Sequence, residues 1–157
     1  MLVYEPFFYA IEHPDQLRLK ILYFILEIGK EEKFYEFLCH LLYRLDKIRI
    51  SPTDLKSTSA DRPVPQEILD LLASERYVTY IQKFKETVIY IDSERNPTGI
   101  NKYCRNFALS RGKFHFKKVI MKNEAGLEEE RDVIDYYEPD DKDEYVEVIL
   151  DNYSNLM

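Results

Sequence analysis

Three short apolar runs, each closed by an acid, constrain this chain more than any other feature: residues 20–27 (KILYFILE), 87–92 (TVIYID) and 145–151 (YVEVILD). Runs that are apolar almost throughout, and too short for a helix, read as strands buried on both faces. That is the habit of parallel sheets. Parallel neighbours need crossover connections, and helical patterns lie between the runs. Residues 31–45 place Phe34, Phe37, Leu38, Leu41, Leu42 and Leu45 on one side at steps of three and four. Acids open that stretch and Arg44 closes it, as the helix dipole favours. Residues 65–86 form a second helical stretch with proline in its first turn. There Ile68, Leu71, Leu72, Tyr77, Tyr80, Ile81 and Phe84 face inward, with a break expected between Arg76 and Val78. A third helix is expected over 98–110, with Ile100, Tyr103, Phe107 and Ala108 inward and Gly112 as its stop signal.

Residues 51–64 read as a polar connection, and the KIRI before them, 47–50, as a short strand. Residues 113–139 alternate over two arms about a turn at 123–126, the signature of a β-hairpin. The expected order is strand, helix, helix, strand, helix, hairpin, strand. The fold class is α/β, a mostly parallel sheet with flanking helices and a β-hairpin insertion near residues 114–137.

Composition excludes several functions. The chain has 157 residues, 45% of them hydrophobic and 14% aromatic, enough for one domain with a real core. No apolar run is long enough to cross a membrane. The N-terminus has no basic start and no small-residue cleavage site, so no signal peptide is expected. Cys39 and Cys104 lack metal-ligand spacing and read as reduced packing residues of a cytoplasmic protein. The net charge of −7 argues against DNA binding by this chain alone. Its best basic cluster, Arg111, Lys113, Lys117 and Lys118, is followed by acids from Glu124 to Glu144. His13, His40 and His115 stand far apart in the sequence, which argues against zinc. Tyr136 and Tyr137 have rings that can stack on bases, but their acidic flanks favour packing.

The informative residues are therefore the acids at the strand ends, Glu27, Asp92 and Asp151. Open α/β sheets bind ligands beyond the carboxyl ends of their strands. Two carboxylates converging there can hold a divalent cation and orient a water. The plainer alternative is that each acid marks a strand leaving the core and caps the next helix. Asp92, which opens an Asp-Ser-Glu-Arg-Asn-Pro loop, suits that alternative.

Tyr23-Phe24-Ile25-Leu26-Glu27 resembles the YFSLE motif of replicative DNA helicases of the DnaB type. Residues 148–157, VILDNYSNLM, resemble the Walker B segment of the same family, in a form similar to divergent bacteriophage members. Arg49-Ile50-Ser51 with Leu55 is similar to a stretch between these motifs, and the strand ending at Asp92 occupies the place of a middle strand. The resemblance spans roughly residues 17–157. It implies a partial RecA-like P-loop NTPase core, a single partial ATPase domain over 1–157. It further implies catalysis of water attack by Glu27 and a magnesium ion held by Asp151. ATP, single-stranded DNA and neighbouring helicase subunits would be ligands of the intact parent.

The chain departs from the family at Ile25, where a serine is usual, and at Asn152, where histidine or tyrosine is usual. It has no Gly-x-x-x-x-Gly-Lys-Ser/Thr loop, and its glycines, Gly29, Gly99, Gly112 and Gly126, are scattered. In the family that loop lies upstream of the first strand, and the sensor and DNA-binding loops lie downstream of Walker B. The expectation is thus a central slice of a phage-type helicase core, inactive alone. The residues themselves also support two other readings. One is a non-enzymatic acidic α/β interaction module of a phage or bacterial replisome, using the hairpin at 115–137 as its contact surface. The other is a metal nuclease built on Glu27, Asp92 and Asp151.

Overall fold

The computed structural model describes residues 3–27, 29–57, 61–122 and 126–151. Among these residues six helices and five strands succeed one another: α1 (Tyr4–Glu12), β1 (Arg18–Ile25), α2 (Lys30–Asp46), α3 (Pro52–Leu55), α4 (Gln66–Leu72), α5 (Glu75–Thr87), β2 (Val88–Ile91), α6 (Pro97–Leu109), β3 (Gly112–Lys122), β4 (Glu128–Pro139) and β5 (Glu144–Asp151). They gather into two compact units, one of residues 1–96 with 144–157, the other of 97–143.

The three acid-terminated runs form one parallel sheet in the first unit, with β1 in the centre and the order β2-β1-β5. Phe24 of β1 is opposite Ile91 on one side and Leu150 on the other. Two steps of strand spacing therefore put the carboxyl ends of β2 and β5 about 10 Å apart. Strand residues alternate between the faces. Ile21, Tyr23 and Ile25 join Val88 in one core with α1, α2 and α5. Leu22 and Phe24, on the opposite face, are equally buried. A central strand buried on both faces is what the unbroken apolar run requires.

The core is rich in aromatic rings. Phe37 of α2 and Phe84 of α5 stack with centroids 3.6 Å apart, and Phe7 of α1 meets both edge-on. Tyr77 of α5 is fully buried, yet its hydroxyl donates to Asp46 at the end of α2 over 2.5 Å. β5 is an edge strand, paired only with β1 among the described residues. Val146 and Val148 on it stay close to half exposed.

In the second unit β3 and β4 form the expected antiparallel hairpin, with a bulge between His115 and Phe116. Its base is fastened to α6. The Tyr137 hydroxyl donates to the Ala108 carbonyl over 2.9 Å, and Tyr137 packs on Phe114. The expected turn falls mostly on residues 123–125, outside the described residues; Gly126 beside it has φ +77°.

Four local expectations change. Residues 47–50 form no strand: Lys47 takes a left-handed conformation (φ 58°) that closes α2, and the chain leaves irregularly. The polar connection contains α3, capped by Ser51, whose Oγ accepts from the Asp54 N–H over 3.1 Å. The break in the second helical stretch falls at Ala73–Ser74 rather than 76–78, and the Ser74 hydroxyl donates to the Leu71 carbonyl. The N-terminal stretch, unassigned from its sequence, forms α1 and supplies Phe7 and Phe8 to the core.

Candidate functional site: the carboxyl edge of the parallel sheet

Strand ends and the first turn of α2 meet at the carboxyl edge. Asp151 is the last residue of β5 and lies in register with Ile25. Its side chain falls on the same sheet face as Ile25, the face that α2 covers. Glu27 comes two residues beyond β1 and is exposed. Asp92 is the residue directly after β2. The two acids implied as a catalytic pair, Glu27 and Asp151, thus leave adjacent parallel strands at one edge.

Two lysines without any motif of their own organise this edge. Lys30 and Lys33 stand one turn apart at the start of α2. The Lys30 ammonium lies 2.8 Å from Asp92 Oδ1. The Lys33 ammonium lies 3.2 Å from Asp151 Oδ2 and 3.1 Å from Glu36 Oε2. It also sits 5.9 Å from the Tyr23 ring centroid. Lys33 is only 8% exposed, the one buried charged residue among those described. Burial opposes its charge, but the bonds to Glu36 and Asp151 outweigh that and push its pKa upward. The bond from Lys30 holds the exposed Asp92 carboxyl below its ordinary range. Burial raises the pKa of Tyr90, whose hydroxyl donates to the Lys33 carbonyl over 3.3 Å, and of Tyr23.

Lysines in a first turn oppose the helix dipole, so this placement needs another cause. The cause is the row of strand-end acids in front of them. That was the available signal: two cations three residues apart, against the dipole, immediately after an apolar strand. The acids of the same turn, Glu31 and Glu32, turn outward and reach Lys56 at 3.5 and 3.6 Å.

A nucleotide-bound magnesium ion takes one or two protein carboxylates, with phosphate oxygens and waters completing its shell. Asp151, partly exposed at the carboxyl edge of the sheet, has a carboxylate that such an ion would share with Lys33. Among the described residues no three His, Cys, Asp or Glu side chains group closely enough to hold a metal by themselves. Glu27, Asp92 and Asp151 therefore do not assemble into a self-contained metal cluster, as the nuclease reading requires.

The other sequence candidates lie elsewhere. Arg49, Ile50 and Ser51 line a cleft of about 690 Å³ with Tyr4, His40 and Tyr43. Tyr136 stacks on His115 in the hairpin, their centroids 4.4 Å apart. Cys39 and Cys104 are free and half-buried, and burial pushes the Cys39 thiol up to about 11. Segment 152–157, including Asn152, lies outside the described residues. No described helix is long and apolar enough to cross a membrane. Comparison with protein-family models, with characterised proteins and with solved structures gives no match.

Proposed function

We propose that this chain is part of the ATPase core of a replicative DNA helicase of the DnaB type, with Glu27 orienting the attacking water and Asp151 the magnesium ligand. The observation that carries this reading is the adjacency of β1 and β5. The strand leading to Glu27 and the strand ending at Asp151 run parallel, side by side, with their acids at one edge. Phosphoryl transfer asks the protein chiefly for positioned charge and an aligned nucleophile, so two acids on neighbouring strands suit it. When bound, magnesium would offset charge on the phosphate oxygens. In this chain Glu27 stays exposed to solvent, while Lys33 fixes the direction of the Asp151 carboxylate. The outer edge of β5, without a strand partner among the described residues, also fits a sheet that continues with further strands.

The phosphate loop must come from sequence outside this chain. The test is to read the coding DNA upstream of Met1, express any in-frame extension that carries such a loop, and measure ATP turnover. Turnover that Glu27→Gln abolishes while nucleotide binding persists is expected. A stop codon directly upstream, or turnover indifferent to Glu27→Gln, overturns the proposal.

A second reading, the acidic interaction module, draws on the ion pairs. Lys30 and Lys33 give Asp92 and Asp151 a structural task without any ligand. It predicts that Asp151→Asn lowers stability and that no longer reading frame confers nucleotide binding.

A further inference from the structure

We propose that the β3–β4 hairpin joins copies of this chain edge to edge, with β3 of one copy pairing antiparallel with β4 of the next. The proposal rests on the hairpin alone and is independent of the strand-end acids. Two strands of 11 and 12 residues form this sheet, and among the described residues neither outer edge has a strand partner. An isolated two-stranded sheet is marginal in water. This one also leaves Phe116, Ile120 and Ile134 at 57%, 72% and 44% exposure. Phe116 and Ile134 are opposite one another, and Ile120 lies on the same face four pairs further on. Adding strands at either edge would cover part of that face.

Charge selects the partner. β3 carries four lysines and no acid, while β4 carries six acids and one arginine. Some of these charges pair within the hairpin: Lys117 with Asp135 at 2.7 Å, Lys118 with Glu130 at 3.1 Å. Lys113 and Lys122 on β3, and Glu128 and Asp132 on β4, are in no ion pair among the described residues. Lysines on an edge strand ordinarily keep other strands away. Here they repel only another β3, because like charges opposite one another destabilise a strand pair and unlike charges stabilise it. β4 against β4 fails for the same reason. The combination left is β3 against β4, which is head-to-tail. Such a contact leaves one free edge at each end, so assembly continues beyond a dimer, into a ring or an open chain.

Sedimentation velocity over a concentration series tests this, at about 0.05 M and about 1 M NaCl. Assembly beyond a dimer at low salt that dissolves at high salt is expected. The variant Lys113→Gln/Lys122→Gln keeps a native β4 edge, and Glu128→Gln/Asp132→Asn keeps a native β3 edge. Each alone should associate roughly tenfold more weakly. Mixed, they should form a 1:1 complex of native strength that grows no further, because only one native β3–β4 pairing can form between them. Far-UV circular dichroism verifies that both fold, and the salt series on the unaltered chain stands apart from the variants. A monomer at every concentration, a dimer that stops growing, association indifferent to salt, or a mixture no tighter than its components overturns the proposal.

Discussion

At the scale of single residues, Lys33 decides how the carboxyl edge is read. One buried ammonium joins Asp151 at the end of an edge strand to Glu36 on the next turn of its own helix. Lys33→Ala would leave both carboxylates without it in a partly desolvated place. A loss of roughly 1–3 kcal/mol in urea unfolding is expected, with Lys33→Arg closer to the native value. His40 makes a different prediction. Its ring stacks on Tyr4 at 4.7 Å, and burial, with a contribution from Arg44, lowers its pKa. A folded value below the unfolded one means that the unfolded chain binds the proton first. His40 therefore contributes its full share of stability above about pH 6.5 and loses it as the pH falls through that value. Urea midpoints measured from pH 8 to pH 5 should decline, and His40→Gln should flatten that decline. Neither effect was legible in the sequence, since Asp151, which pairs with Lys33, and Tyr4, on which His40 stacks, come from other elements.

Elements were more legible than residues, and the reasons differ from case to case. Period and punctuation mark α2, α6, the hairpin arms and all three parallel strands; α2 and β1 bury the stripe and the run that their patterns announce, whereas the hairpin arms and β5 stay largely exposed. α1 was less legible: Phe7, Phe8 and Ile11 keep helical spacing, but the stretch is short and has prolines at both ends, Pro6 and Pro14. The break between α4 and α5 is set by the hydroxyl of Ser74 rather than by the apolar pattern, so its place shifted by a few residues. Gly112 read as a helix stop, but it opens β3, where an added Cβ would run into the Glu138 carbonyl and the Tyr137 ring. Gly112→Ala must push apart the base of the hairpin. A cost of about 1–3 kcal/mol is expected, with loss of Tyr137 hydroxyl protection as the nuclear magnetic resonance readout. The candidate site was half legible. An apolar run closed by an acid announces a strand end, whereas nothing in one strand says which strand lies beside it.

On the scale of the whole molecule, the distinctive feature is that the central strand of the sheet begins at Arg18 while one of its two neighbours begins at Glu144. The halves of that pairing are separated by nearly the entire chain. A chain ending at Asp143 would keep α1, α2, α5 and the hairpin but would leave β1 open along one side. Such a truncation is expected to broaden the thermal transition seen by far-UV circular dichroism and to increase light scattering on heating. A sharp, reversible melt like that of the intact chain would show that β5 adds little. The wide separation also gives synthesis an order. The arms of the hairpin leave the ribosome one after the other and can close at once, because nearby segments meet faster than distant ones. The parallel sheet has to wait for β5, and β1 holds one edge unpaired while the residues between the two strands are made.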